Sequence, residues 1–334
     1  MPNNVNRAPS PRKPVRICLF DPAIENHQGS PSSNLGDLII SAAVRRELAE
    51  IFKDASIHAF STQVYPRFSQ LFAWRGFDLR IVGGTNLLSS NMDSYNQWKI
   101  RRRHAFFIRD AVLLGVGWWQ YQEDPNGPTR RLLRAALSPA RLHSVRDGYT
   151  LQKLRAAGFE NVVNTGCPTM WPLAGTTPAD FPQRKCDTVL ATVTDYHQKP
   201  QADRLWLQKL AAHYRRVFFW PQGRGDLDYF SGLDSRAVPL EHTVAALERF
   251  IAATPQFDYV GTRLHGGIRC LLAGRRSLIL SLDNRTPEIA RETNLPAVAR
   301  EDGGAVEAWI NGCAETRITL NLAAIGRWKE QFAT

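Results

Sequence analysis

The chain has no long apolar run of the kind that membrane-spanning segments need. No stretch of its 334 residues approaches the roughly 20 apolar residues that cross a bilayer. The opening segment MPNNVNRAPSPRKPVR is basic and proline-rich and has no apolar core, so it does not resemble a secretory signal. We therefore predict a disordered basic tail over residues 1–14 and a cytoplasmic protein.

Cysteines are few and irregularly spaced. The five cysteines, at positions 18, 167, 186, 270 and 313, are odd in number, and no two form a CxxC pair. This usage is typical of reduced thiols in the cytosol. The sequence also lacks HExxH and any closely spaced set of His, Cys and Asp, and its one DxD (226–228) stands alone. We predict no metal requirement and no cofactor.

Several common catalytic motifs are also missing. There is no GxxxxGK[ST], no GxGxxG opening a helix and no GxSxG. These absences argue against a P-loop nucleotidase, a Rossmann dinucleotide enzyme and an α/β-hydrolase.

Positive charge is abundant and unevenly distributed. The chain has 42 Lys and Arg against 31 Asp and Glu, and residues 99–155 hold twelve of the first against four of the second. Such a stretch attracts anions. Three interpretations remain open: a solvated face, a small anionic substrate, or peripheral contact with the anionic inner face of a membrane. We predict no nucleic-acid partner, because zinc-finger spacings and RNP-like aromatic motifs are missing.

β-rich and helical patterns alternate along the chain. VRICLF (15–20) is followed by LGDLIISAAVRRELAEIF (35–52), and the alternation continues to the last third of the sequence. This predicts an α/β fold with parallel sheets covered by helices on both faces. Residues 173–186 are rich in Pro and Thr and carry no periodic pattern. We predict two doubly wound parallel-sheet domains facing a cleft, with the limits 15–172 and 187–315, the linker 173–186 and a C-terminal helix in 316–334.

Ligands of open α/β sheets bind beyond the carboxyl ends of the strands, so the residues at those ends are candidate site residues. The first predicted strand leads to NLGD (34–37), which contains Asn34 and Asp37; a plain N-cap role for Asp37 is the alternative. The run DLRIV leads to Gly83, Gly84, Thr85 and Asn86, where glycines let the backbone approach a ligand.

A third strand end carries two tryptophans, Trp118 and Trp119. Paired tryptophans are most often core residues, but in a cleft they can stack on a sugar ring. SVRD (144–147) places Arg146 near a predicted helix N-terminus capped by Asp147, which suits a bound anion. A local Arg146–Asp147 pair is the alternative.

The segment DYVGTRLHGGIRCLLAG (258–274) ends a short β-rich run with a cation and an imidazole. If 263–265 is extended, Arg263 and His265 point to the same face. Gly266 and Gly267 would then begin a helix whose free N–H groups favour an anion. A surface Arg beside a satisfied His is the alternative.

Taken in order, NLGD (34–37), GGTN (83–86), SVRD (144–147) and RLHGG (263–267) resemble the motif set of the polysaccharide pyruvyl transferase family. The resemblance covers most of residues 15–300. Two departures are visible: Thr follows Gly-Gly where a third Gly is common, and TGCPTMWPL (165–173) has Gly-Cys-Pro where a Gly-Asp-Pro-like turn is frequent.

The resemblance implies a two-domain fold similar to the GT-B glycosyltransferases, with the site in the cleft. It implies transfer of the enolpyruvyl unit of phosphoenolpyruvate, as co-substrate, to a sugar of a polysaccharide or its precursor, with a cyclic pyruvate ketal and phosphate as products. The N-terminal domain would hold the carbohydrate acceptor and the C-terminal domain the phosphoenolpyruvate. Whether the acceptor is lipid-linked, and the oligomeric state, are left open.

The resemblance and the residue chemistry together assign roles. His265 is the expected proton donor or assists phosphate departure, Arg263 the anion ligand and Asp37 the base for the sugar hydroxyl. We expect Arg263→Ala to abolish activity and leave the fold intact. The other predicted substrate-binding residues are Asn34, Gly84, Thr85, Asn86, Trp118, Trp119, Arg146, Gly266 and Gly267.

Two other functions fit the same patterns. A nucleotide-sugar glycosyltransferase would direct the basic residues to a diphosphate. A binding or scaffolding protein would use the basic stretch on a membrane or an acidic polymer, and it gives the residues at the strand ends no role.

Overall fold

The computed structural model describes residues 14–233 and 236–333. The predicted tail lies outside the described residues except for Pro14. Within the described part of the chain, no helix is long and apolar enough to cross a membrane.

The first lobe is built on a six-stranded parallel sheet. Its order, β2-β1-β3-β4-β5-β6, reverses between β1 and β3. The strands are β1 (Arg16–Asp21), β2 (Ser56–Ser61), β3 (Leu79–Leu88), β4 (Val112–Trp118), β5 (His143–Val145) and β6 (Val162–Asn164). The helices between them are α1 (Leu35–Ile51), α2 (Phe68–Arg75), α3 (Arg102–Ile108), α4 (Gly127–Ala136) and α5 (Gly148–Ala156).

The second lobe is also built on a six-stranded parallel sheet covered by helices, but its strand order is different. Its parallel sheet runs β12-β11-β10-β7-β8-β9 and reverses between β7 and β10. The strands are β7 (Thr188–Thr192), β8 (Arg216–Phe219), β9 (Val238–Pro239), β10 (Asp258–Gly261), β11 (Ser277–Ser281) and β12 (Ala297–Ala299). The helices are α6 (Pro200–His213), α7 (Asp226–Ser231), α8 (Val244–Ala253), α9 (Leu264–Leu272), α10 (Arg285–Thr293) and α11 (Gly303–Asn311), followed by α12 (Leu322–Glu330).

Apolar runs in the sequence become strands buried on both faces. Ile17, Cys18, Leu19 and Phe20 are all at most 1% exposed, as expected for a parallel sheet covered on both sides. α12 returns to the first lobe, where Trp328 is fully buried in a cluster with Ile17 and other β1 residues. The last helix therefore completes the core of the first lobe.

The N-terminus of α1 is the main contact between the lobes. Its Leu35 packs in one apolar cluster with Ile268 of α9, and the Leu35 N–H donates to the Gln222 carbonyl at 2.8 Å. Gln222 Nε2 also donates to the Asn34 side chain at 3.2 Å. Because α1 starts at the reversal point of the first sheet, this contact brings the carboxyl edges of the two sheets face to face.

Candidate active site

A chamber of about 510 Å³ lies between the lobes at the carboxyl edges of both sheets. Both sheets reverse their strand order here, which is where open α/β sheets bind ligands. Of the predicted site residues, the structure places five in the wall of this chamber: Asn34, Asp37, Thr85, Asn86 and Trp119. The second lobe contributes Tyr196, His197, Asp283 and Arg285.

A narrow inner recess of about 10 Å³ shares part of this wall. Asn34, Asp37, Thr85, Tyr196 and Arg285 line both spaces. Arg263 and His265 line only the recess, together with Gln222, Thr262 and Leu264. The recess has room for about one water molecule, so a substrate has to occupy the outer chamber.

Asp37 lies in the first turn of α1 with a perturbed acidity. Asn34 is the N-cap of α1, since its side chain accepts the Gly36 N–H at 3.2 Å, so the plain N-cap role considered for Asp37 is wrong. Asp37 is 9% exposed and accepts a hydrogen bond from Ser32 Oγ at 2.9 Å. Burial raises the pKa of this carboxyl to about 6, although the hydrogen bond from Ser32 and the positive charge of Arg285 act in the opposite direction. A carboxyl of this acidity can exchange a proton near neutral pH.

Arg263 is held in an ion-pair cluster and is not a free anion ligand. Its Nε donates to Asp226 Oδ2 at 2.8 Å and its Nη2 to Asp226 Oδ1, while a second carboxylate, Asp195, accepts at 3.0 Å. The side chain is 3% exposed. β10 ends at Gly261 and α9 begins at Leu264, so the expectation that 263–265 is extended, with Arg263 and His265 on one face, is wrong.

His265 is sealed in the first turn of α9. It is 4% exposed, and its Nε2 lies 3.8 Å from Cys167 Sγ, the cysteine of the Gly-Cys-Pro turn. Burial, together with the positive charges of Arg285 and Arg146, lowers its pKa to about 3. Without a ligand the imidazole is neutral near pH 7. It therefore does not carry the proton that the sequence interpretation expected it to donate.

The two glycines after His265 serve packing. The Gly266 N–H is already bonded to Gln222 Oε1 at 3.1 Å, so it is not free for an anion. A Cβ at Gly267 would lie 2.8 Å from the Tyr259 ring and 2.9 Å from Ile279, which shows how closely α9 approaches the sheet. The expected anion role of Gly266 and Gly267 is therefore wrong.

The glycines of GGTN lie inside a strand and not at its end. β3 continues through Gly83 and Gly84 to Leu88, and Gly84 is buried against β4. Gly84 therefore does not line the chamber wall described above. Thr85 does, and it has φ +111°, a value that strongly favours glycine. This is the position at which the sequence has Thr where a third Gly is common.

Arg146 is buried directly behind Asn86, which lines the chamber. Its Nη2 donates to Asn86 Oδ1 and its Nε to Asp147 Oδ2 at 3.3 Å, so the local pair with Asp147 is present. Asp147 also caps α5 by accepting the Thr150 N–H at 2.7 Å, as predicted. Arg146 is 1% exposed, and its Nη1 has no hydrogen-bond partner among the described residues. The positive charge of Arg146 is one of the causes that lower the pKa of His265.

The two adjacent tryptophans, Trp118 and Trp119, lie in different environments. Trp118 is fully buried, and its Nε1 donates to Ser90 Oγ and Gln122 Oε1, both at 3.2 Å, so its predicted role in binding a sugar is wrong. Trp119 lines the chamber and packs on Tyr95 with ring centroids 4.0 Å apart. Consecutive residues leave a strand on opposite sides, which explains why only one faces the chamber.

Arg285 is a cation of the chamber wall that the sequence analysis missed. It is the first residue of α10, its Nε and Nη2 donate to Asp283, and its Nη2 also donates to Tyr196 Oη at 2.7 Å. Its Nη1 has no hydrogen-bond partner among the described residues. The sequence carries a signal for it, because the apolar run SLILSL (277–282) is followed at once by Asp283 and then, after one residue, by Arg285.

Solved structures with this architecture include two sugar-nucleotide enzymes. The Methanocaldococcus jannaschii UDP-GlcNAc 2-epimerase, solved with UDP-GlcNAc and UDP, has a TM-score of 0.55 at 12% identity, over 96% of this chain and 98% of that one. A putative UDP-N-acetylglucosamine 2-epimerase from Listeria monocytogenes has a TM-score of 0.50 at 9% identity, over 96% and 97%. The glycosyltransferase AviGT4 of avilamycin A biosynthesis follows with a TM-score of 0.45 at 9% identity, over 96% and 93%. At these identities the likeness concerns the fold, and the match to the two epimerases confirms the predicted α/β architecture of two parallel-sheet domains.

Sequence comparison identifies the family. No curated protein matches the chain. Residues 34–284, however, match the family described as polysaccharide pyruvyl transferase, which is well over half of the chain and includes all four motifs that suggested it. The chain therefore belongs to the polysaccharide pyruvyl transferase family.

Proposed function

We propose that this protein transfers the enolpyruvyl unit of phosphoenolpyruvate to two hydroxyls of a sugar, forming a cyclic pyruvate ketal and releasing phosphate. Family membership supports a transferase acting in polysaccharide synthesis. The observation that carries the proposal is the inter-lobe chamber in which a partly unpartnered Arg285 faces the carboxyl of Asp37, whose pKa is about 6.

The donor needs cationic and N–H contacts, because phosphoenolpyruvate carries a phosphate and a carboxylate within a few atoms. In this proposal Arg285 takes the role that the sequence interpretation gave to Arg263, because Arg285 lines the chamber whereas Arg263 lines only the narrow recess. Lys99 lines the same chamber, and Arg146 adds positive potential from behind Asn86. A guanidinium edge in a partly enclosed site suits an oxyanion that persists through the reaction.

The reaction requires proton movement in both directions. A proton added to the enol CH2 makes C2 electrophilic, and the first sugar hydroxyl bonds to C2 and loses its proton. The C2–O bond to phosphate then breaks, the phosphate leaves with the bonding electron pair, and the second hydroxyl closes the ring and loses its proton. One hydroxyl proton replaces the proton given to CH2, and the other leaves with phosphate. Asp37 is suited to accept a hydroxyl proton, because its pKa lies near neutral pH.

Of the two roles that the sequence interpretation gave to His265, this proposal keeps assistance to phosphate departure. In the unliganded protein it is a neutral imidazole next to the positive charges of Arg285 and Arg146. A dianion bound in the chamber offsets the part of the pKa lowering that Arg285 and Arg146 cause, so donor binding shifts the pKa of His265 upward and favours its assistance to phosphate departure.

Trp119 and Tyr95 form the most suitable surface for the acceptor. Their rings pack together at the chamber wall contributed by the first lobe. An aromatic face of this kind supports the apolar side of a sugar ring. In the proposal the acceptor therefore enters from the first lobe, opposite Arg285.

The test is phosphate release from phosphoenolpyruvate in the presence of a panel of glycans, with the products analysed by mass spectrometry. We expect phosphate and a glycan heavier by one pyruvate less one water, and loss of both in Arg285→Ala. The rival activity, glycosyl transfer from a nucleotide sugar, would instead give a glycan heavier by one sugar residue and a free nucleoside diphosphate. That product, with no reaction of phosphoenolpyruvate, would overturn the proposal.

A further inference from the structure

An exposed surface of aromatic rings and arginines covers α2 and α3 on the outside of the first lobe. We call it the α2–α3 face and define it by its members: Tyr65, Phe68, Phe72, Phe106 and Phe107, with Arg67, Arg75, Arg101, Arg102, Arg103 and Arg109. Phe68 is 73% exposed, Phe72 52% and Phe106 48%. Large apolar side chains clustered at such exposure mark an interaction surface rather than ordinary protein exterior.

The four phenylalanine rings form one continuous patch. Phe68 contacts Phe72 with ring centroids 5.0 Å apart, Phe72 contacts Phe107 at 5.3 Å, and Phe107 contacts Phe106 at 5.5 Å. The two helices thus present a joint apolar surface and not scattered single residues. None of these rings belongs to the chamber wall.

The arginines around the patch have no acidic partners. All six are exposed, and none lies within salt-bridge distance of a carboxylate among the described residues. Arg75 and Arg109 lie over the Phe106 ring, at 4.6 and 4.1 Å from its centroid, and Arg101 lies over Tyr65 at 4.5 Å. Guanidinium groups that border exposed phenyl rings combine charge attraction with shallow apolar insertion.

We propose that the α2–α3 face docks on an anionic phospholipid bilayer. Interfacial binding needs an apolar face to enter the headgroup boundary and cations to meet anionic headgroups, and this face supplies both. A second copy of the chain is a poor occupant, because a symmetric contact would bring six unpaired arginines against six others. The rings also pack edge to face against each other and leave no open row of ring faces for nucleic-acid bases.

The docking surface lies close to the chamber. A second cavity of about 340 Å³, lined by Tyr65, Met92, Asn96 and Arg101 among others, borders the face, and Asn96 also lines the chamber. A protein docked in this way would hold the chamber near the headgroups. The proposal stands whether or not phosphoenolpyruvate is the donor.

The experiment is vesicle flotation with the full chain. Vesicles of phosphatidylcholine alone are compared with vesicles that also contain phosphatidylglycerol, at low and at high salt. We expect binding only to the anionic vesicles, weakened by salt. Arg75→Gln/Arg102→Gln should bind roughly 30-fold more weakly, from about a five-fold effect for each arginine at an anionic surface. Phe68→Gln/Phe72→Gln should also reduce the bound fraction.

The controls use exposed residues of the other lobe. Arg215→Gln/Arg216→Gln removes two exposed arginines and Leu205→Gln one exposed apolar side chain, and both should bind as the wild type does. Should the double phenylalanine variant fail to fold, Phe68→Gln alone tests the apolar contribution. Absence of wild-type binding, or equal loss in the control variants, overturns the proposal. The proposal is also overturned if the wild type self-associates and only Phe68→Gln/Phe72→Gln abolishes that association. It is overturned as well if the protein binds oligonucleotides but not vesicles.

Discussion

Replacement of Arg263 should lower the thermal stability of the second lobe in addition to inactivating the protein. The guanidinium is 3% exposed and donates to both oxygens of Asp226, which is itself fully buried. Arg263→Ala leaves that carboxylate without its cation. This reverses the sequence-based expectation that the variant keeps its fold intact.

The size of the effect follows from the geometry. Removing one partner of a buried ion pair costs about 3–5 kcal/mol, because the remaining charge stays uncompensated. Domains of this size lose roughly 2–4 °C in Tm per kcal/mol, so the expected fall is roughly 6–20 °C. Asp226→Asn in the Arg263→Ala background should recover part of the loss. Full recovery is not expected, because Asp226 also accepts the N–H groups of Asp195, Gln222 and Gly223.

Thermal unfolding monitored by circular dichroism measures this directly, with Arg285→Ala as the matched control. Arg285 borders the chamber with its side chain 17% exposed, so its loss should lower Tm much less while removing phosphate release from phosphoenolpyruvate. An Arg263→Ala variant that unfolds with wild-type Tm but binds no donor would refute this reasoning. It would restore Arg263 as the anion ligand.

Three further variants test the site. Asp37→Asn should remove a limb of the pH–rate profile near pH 6, below which the protonated carboxyl no longer accepts a proton. Because the pKa of Asp37 is about 6 in the folded protein and about 4 in the unfolded chain, ionisation of this carboxyl lowers the free energy of unfolding as the pH rises through that range. At pH 7 the free energy of unfolding of Asp37→Asn should therefore exceed that of the wild type by up to about 3 kcal/mol. Thr85→Gly should raise Tm by relieving about 1–3 kcal/mol of strain at φ +111°, with an unchanged Tm counting against the strain. His265→Gln should lower kcat more than phosphoenolpyruvate affinity, and wild-type turnover would remove His265 from the chemistry.

The architecture was accessible from the sequence because alternation of buried runs and helical periods dictates parallel sheets. The rule about strand ends then selected Asn34, Asp37, Thr85, Asn86 and Trp119, which the structure brings together in one wall, although Thr85 and Asn86 lie within β3 and not at its end. The same rule applied to the end of β11 would have found Arg285.

Other features depended on distant partners. Nothing near Arg263 in the sequence indicates that Asp226, 37 residues earlier, neutralises it, because that pairing arises only when α7 and β10 are assembled. Gly-Gly in β3 suggests a turn by composition, yet the close approach to β4 demands glycine within the strand. Trp118 and Trp119 are adjacent and equally apolar, and only strand direction separates the core residue from the chamber residue.

The central claim is that the chamber between Asp37 and Arg285 binds phosphoenolpyruvate. Calorimetric titration of phosphoenolpyruvate into the wild type, Arg285→Ala and Arg215→Ala tests it most directly, since Arg215 is exposed outside the chamber. The account predicts saturable binding by the wild type and Arg215→Ala, at least about ten-fold weaker binding by Arg285→Ala, and no competition by UDP. Equal binding by all three proteins, or binding of UDP where phosphoenolpyruvate gives no heat, would contradict it.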